Sequence, residues 1–185
     1  MGGVTGTGMT VSFSGTGAGI ASLPNVLGQY AAPFISGGNG AVFGNFQADG
    51  SDMTQYLVTG IGEVTLQLDE HNQYFGLLWG SVDNYNTLSF YDSGAFPFSL
   101  TGLEVDILAN GDQGAGGTFY VNINSDTPFD RVVASSTAYT FEFDNVALVR
   151  DPIPLSVIGV PEPGTLAPLG LGLLGSIAAR RRRPE

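Results

Sequence analysis

The feature that most constrains this chain is a period-two alternation of apolar and polar residues, repeated in short runs between residues 41 and 149. Val64, Leu66 and Leu68 alternate with Glu63, Thr65 and Gln67. Leu103, Val105 and Ile107 alternate with Glu104 and Asp106, and Phe119, Val121 and Ile123 with Tyr120 and Asn122. Tyr139, Phe141 and Phe143 do so with Thr140 and Glu142. Successive strand residues point to opposite faces, so each run reads as a half-buried strand. Runs at 41–46, 55–59, 74–79, 87–91, 96–100 and 131–134 complete the set, and no stretch here holds a helical period. Asp69-Glu70-His71-Asn72, Asp83-Asn84-Tyr85-Asn86, Asp92-Ser93-Gly94 and Asn110-Gly111-Asp112 lie between them and read as turns. About ten short antiparallel strands predict an all-β, two-sheet, jelly-roll-like sandwich. After Phe143 the apolar phase moves from odd to even positions, at Val146 and Leu148. A β-bulge at Asp144-Asn145 produces that shift; such bulges accompany functional sites, though a kink at a sheet edge is the simpler reading.

The flanks differ from this body. Residues 1–40 hold Gly-rich patches, at 2–19 and 37–40, and read as partly loop-like because ordering glycine costs backbone entropy. Residues 20–34 between them are more apolar and are expected either to pack on the core or to follow irregularly. Gly15, Gly17 and Gly19 miss the dinucleotide-binding spacing, since position 20 is Ile. The sandwich is placed at 41–149, and a Pro-containing linker follows at 150–159, opened by Pro152 and Pro154.

Charge narrows the partners. The chain has no lysine, and residues 1–160 carry 15 acidic and 2 basic side chains, a balance of −13. Such a body repels nucleic acid and anionic membranes but attracts divalent cations. Without cysteine there is neither a disulfide framework nor a thiolate metal site. Nucleophile–base catalysis needs a group that titrates near neutrality, normally histidine. His71 alone is present, and it reads as a solvated turn residue. Glu63, Glu104 and Glu142 supply carboxylates for glycoside hydrolysis, but the alternation puts each at an ordinary solvent-facing strand position. The body is therefore expected to be non-catalytic and to need no cofactor.

Two binding chemistries stay open. Asp83, Asn84 and Asn86 in one turn, with Asp144 and Asn145 at the expected bulge, supply oxygen ligands for a structural Ca²⁺ if the fold brings the segments together. The competing reading is Asx-rich turns without metal. Trp79, Tyr85 and Tyr91 are candidates for a sugar-stacking platform, although Trp79 belongs to an apolar run at 75–79 that favours core packing. Arg131 is expected to pair with an acid or pack its stem.

The chain end carries the most specific pattern. Pro161-Glu162-Pro163 holds an extended segment, because each proline restricts its own φ and the residue before it. Residues 166–179 are uncharged, and Arg180, Arg181, Arg182 and Arg183 close the run. As a helix this run spans about 20 Å, short of a bilayer core of about 30 Å. It reads as a transient membrane segment held on the cytoplasmic side by its arginines. Residues 160–185 thus resemble the PEP-CTERM sorting signal of Gram-negative bacteria. The resemblance implies recognition, and cleavage near the motif, by an exosortase, with the C-terminal helix in the inner membrane before processing. It further implies an exported protein of the cell surface or extracellular matrix, whose signal peptide is expected upstream of Met1. Segments at 74–81, 86–91, 129–133 and 141–145 are similar to the bodies of exosortase-dependent surface proteins. The leading expectation is a structural or adhesive role, with exopolysaccharide as a partner. The alternative is a carbohydrate-binding module, or a glycan-active enzyme, delivered by the same tail.

Overall fold

The computed structural model describes residues 2–5, 8–37 and 47–153. The expected strand at 41–46 and the C-terminal helix at 166–179 lie outside the described residues. Among those residues no helix is long and apolar enough to cross a membrane.

The body is antiparallel β-sheet, as the alternation predicts. In order it runs β1 (Gly2–Thr5), β2 (Met9–Thr16), β3 (Gly19–Ala21), β4 (Phe34–Ile35), β5 (Gly50–Ser51) and β6 (Tyr56–Val58). Then come β7 (Ile61–Gly80), β8 (Asn86–Asp92), β9 (Ala95–Thr101), α1 (Gly102–Val105), β10 (Phe119–Ser136) and β11 (Glu142–Val149). The main sheet has the order β3-β6-β11-β7-β10-β8-β9, with β1 and β2 added alongside β7; β4 and β5 form a separate two-stranded ladder.

Two long strands organise this sheet. The runs at 64–68 and 74–79 are one 20-residue strand, β7, and those at 119–123 and 131–134 are one 18-residue strand, β10. The expected turn at Asp69-Glu70-His71-Asn72 is instead extended backbone within β7. Its polar residues sit where β7 passes from one half of the sheet to the other, opposite register shifts between Asn124, Phe129 and Arg131 of β10. The burial phase turns over at the same place. Val64, Leu66 and Leu68 face inward before it, and Phe75, Leu77 and Trp79 after it. Both halves then build one core. Phe75 meets Phe90 of β8 edge-on with ring centroids 5.7 Å apart, and Phe129 meets Phe90 at 5.0 Å.

Two further expectations are corrected. The Gly-rich start contributes strands β1 and β2, and Met9 and Val11 of β2 are buried in the core. Its glycines allow close approach: a Cβ on Gly15 of β2 would sit 2.6 Å from the Gly62 Cα of β7. The Leu103-Val105-Ile107 run is not a strand. Residues 102–105 form the helical turn α1, because Glu104 reaches back to accept hydrogen bonds from Thr101 N and Oγ1, both at 2.8 Å. Leu103 and Ile107 are consequently exposed. The outer face of the second half of β7 is covered as well. Leu78 packs with Ile35, and Gly80 lies against Pro33, so the segment at 31–36 covers that face. Residues 74–80 are therefore buried on both sides.

The expected bulge is present. The β11–β7 register shifts between Asp144 and Ala147, and Asn145 takes a φ of 52°.

Candidate functional site

A polar cleft of about 180 Å³ opens where the chain turns from β7 into β8. Its first wall is the segment at 81–85. Ser81 is left-handed, with φ 45°, and buried. The loop at 109–117 braces this wall: Val82 N donates to Gly117 O at 2.9 Å, Gly111 N to Val82 O at 3.0 Å and Asn84 N to Ala109 O at 3.1 Å. Gly111 (φ 71°) lies so close that a Cβ there would sit 2.8 Å from both Asp83 carboxylate oxygens. The Tyr85 hydroxyl lies 2.6 Å from Asp83 Oδ2 and 2.9 Å from the Tyr139 carbonyl oxygen, two acceptors for its one proton. Tyr30 lines the cleft as well, its ring held edge-on to Tyr56 at 6.4 Å.

Glu142, the first residue of β11, also lines this cleft and is only 2% exposed. The alternation correctly puts it on the face opposite Phe141 and Phe143, but that face is covered by the segment around Ala31 and not by solvent. Ala31 N donates to Glu142 Oε1 at 2.7 Å. Burial pushes the Glu142 carboxyl up to about 8, with the nearby Asp83 charge adding to the effect and the Ala31 hydrogen bond opposing it. The Ser81 hydroxyl opposes it too, yet neither Ser81 Oγ nor Glu142 Oε2 completes a hydrogen bond of good geometry. Asp83 is also raised by burial, and its bond from Tyr85 works the other way. Tyr85 is raised, first by burial and then by Asp83.

A second acidic spot lies at the bulge. Thr54 N and Oγ1 approach the Oδ1 of fully buried Asp52 at 2.8 and 2.7 Å, and Thr54 Oγ1 is 3.2 Å from Asp144 Oδ2. Burial, reinforced by Asp52, raises Asp144 to about 6.

The proposed calcium ligands are divided between these surroundings. Asp83 is engaged with Tyr85, and Asp144 with Asp52 and Thr54. Asn86 is fully buried, its Oδ1 3.0 Å from Ser136 Oγ, while Asn84 is exposed and Asn145 half-buried. Among the described residues no group of three or more acidic or histidine side chains is placed to hold a metal ion. The sugar-platform set is divided too. Trp79 is 0% exposed and stacks on Phe141 at 4.2 Å, so it presents no face to a ligand. Tyr91 has the Arg131 guanidinium 4.1 Å over its ring. Of the three, Tyr85 lines the cleft. His71 is exposed on β7, not in a turn, and lies 3.0 Å from Asp92.

Ser81, Tyr30, Tyr139 and buried Glu142 were not singled out as a site by the sequence pattern. The one signal for them is the apolar stretch Ala31-Ala32-Pro33-Phe34-Ile35, which needs a surface to cover.

Comparison with known proteins bears on the chain end. The family model for the PEP-CTERM protein-sorting motif matches residues 159–183, which include Pro161, Glu162, Pro163 and all four terminal arginines. A search of curated proteins returned no match. The chain thus carries a PEP-CTERM protein-sorting motif at residues 159–183.

Proposed function

We propose that this chain is an exosortase substrate, exported through the inner membrane and delivered to the cell surface or exopolysaccharide matrix, where its β body has a structural or adhesive role. The sorting motif at 159–183 carries this reading. In it, Pro161-Glu162-Pro163 is the recognised strip, the uncharged run is a transient anchor, and Arg180 to Arg183 hold that anchor at the cytoplasmic side. The inward faces of the two sheet halves share one core, and we read this as a jelly-roll-like sandwich made by folding one sheet over. The non-catalytic reading rests on composition: no lysine, no cysteine and a single histidine.

Intact-mass measurement of protein from the native host tests the sorting reading. The mature chain is expected to lack the arginine tail, and to keep it in a strain without exosortase or in the Glu162→Ala variant. A surface-localised chain still ending at Glu185 in the unmodified host would overturn it. A second reading, a carbohydrate-binding module delivered by the same tail, is favoured by the tyrosine-lined cleft around Glu142.

A further inference from the structure

We infer that the cleft bounded by Tyr30, Ser81, Asp83, Tyr85, Tyr139 and Glu142 binds one ring of a neutral, polyhydroxylated ligand, such as the terminal sugar of a polysaccharide. This gives the ligand-binding reading its site and rests on it. Sorting is measured separately, so either reading can fail while the other stands.

The first support is a pair of buried polar atoms on residues that line the cleft, Ser81 Oγ and Glu142 Oε2, which lie near each other but complete no hydrogen bond of good geometry. A buried polar group left without a well-formed hydrogen bond is destabilising. An occupant bearing hydroxyls, each both donor and acceptor, offsets that cost once the two side chains turn toward it. Chemical selection is the second support. The cleft is lined by carboxyls, amides (Gln29, Asn110, Gln113), hydroxyls and tyrosine rings and, among the described residues, by no cationic side chain. Both body arginines are engaged elsewhere, Arg131 over Tyr91 and Arg150 with Glu70. An anionic ligand would meet Asp83 with nothing to neutralise it, so phosphate, sulfate and uronate groups are disfavoured.

A hard cation fits less well than a sugar. Ca²⁺ takes about six to eight oxygens, whereas Glu142 Oε1 is already committed to Ala31 N and Asp83 Oδ2 to Tyr85. The raised carboxyl at Glu142 leaves it protonated at neutral pH, as a donor to a ligand oxygen. Size agrees. A cleft of about 180 Å³ leaves room for one small ring and not for an enclosed chain. Its walls are connecting segments on a rigid sheet, where binding residues concentrate.

Saturation-transfer NMR and calorimetry on the full-length chain test the inference, with glucose, galactose, mannose, rhamnose and N-acetylglucosamine as probes. At least one sugar is expected to bind saturably. Gln113→Ala and Tyr139→Ala, at exposed positions, should weaken it about three- to tenfold, the range set by losing one contact of about 0.5–1.5 kcal/mol. Tyr91→Ala should leave binding unchanged, and melting temperatures should confirm that the cleft variants stay folded. Glu142→Gln keeps an oxygen for Ala31 N and should alter which probe binds best. Absence of binding by every probe would overturn the inference, as would binding indifferent to the cleft variants. Calcium binding abolished by Asp83→Asn would assign the cleft to a cation instead.

Discussion

At the scale of single residues, Glu142 is where the molecule departs furthest from its sequence pattern. Its carboxyl moves from 4.5 to about 8 because folding takes it out of water. Between those values the unfolded chain has released the proton and the folded chain has kept it. Stability attributable to this group is therefore fully present below about 4.5, falls as pH rises toward 8 and stays low above it. The slope is about 1.4 kcal/mol per pH unit. Glutamine holds no titrating proton, so the difference in melting temperature between Glu142→Gln and the parent chain should grow in favour of the variant from pH 5 to pH 8. A pH-independent difference would place Glu142 in solvent. Trp79 provides the opposite case. It is fully buried and stacked on Phe141, so Trp79→Ala should cost about 3–5 kcal/mol and lower the denaturation midpoint sharply. Loss of ligand binding in that variant would report unfolding and not a removed sugar contact.

Elements were legible where one local rule decided them. The alternation identifies β6, β8, β9 and both halves of β7 and β10, because a half-buried strand writes its two faces into adjacent residues. The bulge was legible for the same reason: a slipped register turns the apolar phase over, and the phase does turn over after Phe143. The Leu103-Val105-Ile107 run was misread because Thr101 and Glu104 close a capping box, and the local hydrogen bonds outweigh the alternation. Gly-rich β2 was misread because its strand is specified by pairing with distant β7, including the close approach at Gly62. Burial of Glu142 depends on a segment 111 positions away in sequence, which no local window contains. The bulge itself yields a test. Asn145 holds φ at 52°, a conformation that asparagine and glycine tolerate and alanine resists by about 1–2 kcal/mol. Asn145→Ala should therefore lower stability by about that amount in chemical denaturation, and Asn145→Gly should stay close to the parent. Equal losses would mean that the Asn145 side chain, not its backbone, matters there.

At the scale of the whole body, the question is whether the two halves of the sheet can come apart. Two separate sheets joined by loops would touch through side chains alone. Here β7 and β10 run through both halves and pair with each other on either side of the bend, from Trp79↔Phe119 to Gly62↔Ser136. The inner faces also share aromatic contacts, with Phe75 from one half against Phe90 and Phe129. Opening either half would break ladder bonds in strands that continue into the other and would expose rings belonging to both. Unfolding of residues 8–153 is thus expected to be one cooperative transition. Trp79, the chain's one tryptophan, sits in the second half and reports on it by fluorescence, whereas far-UV circular dichroism reports on both. In a urea titration the two signals should share a midpoint and a slope. Fluorescence that changes well before the dichroism would show the second half opening alone, and would count against continuous strands as the source of cooperativity. Under the delivery reading, a body that unfolds only as a unit offers no partly open intermediate to proteases at the cell surface.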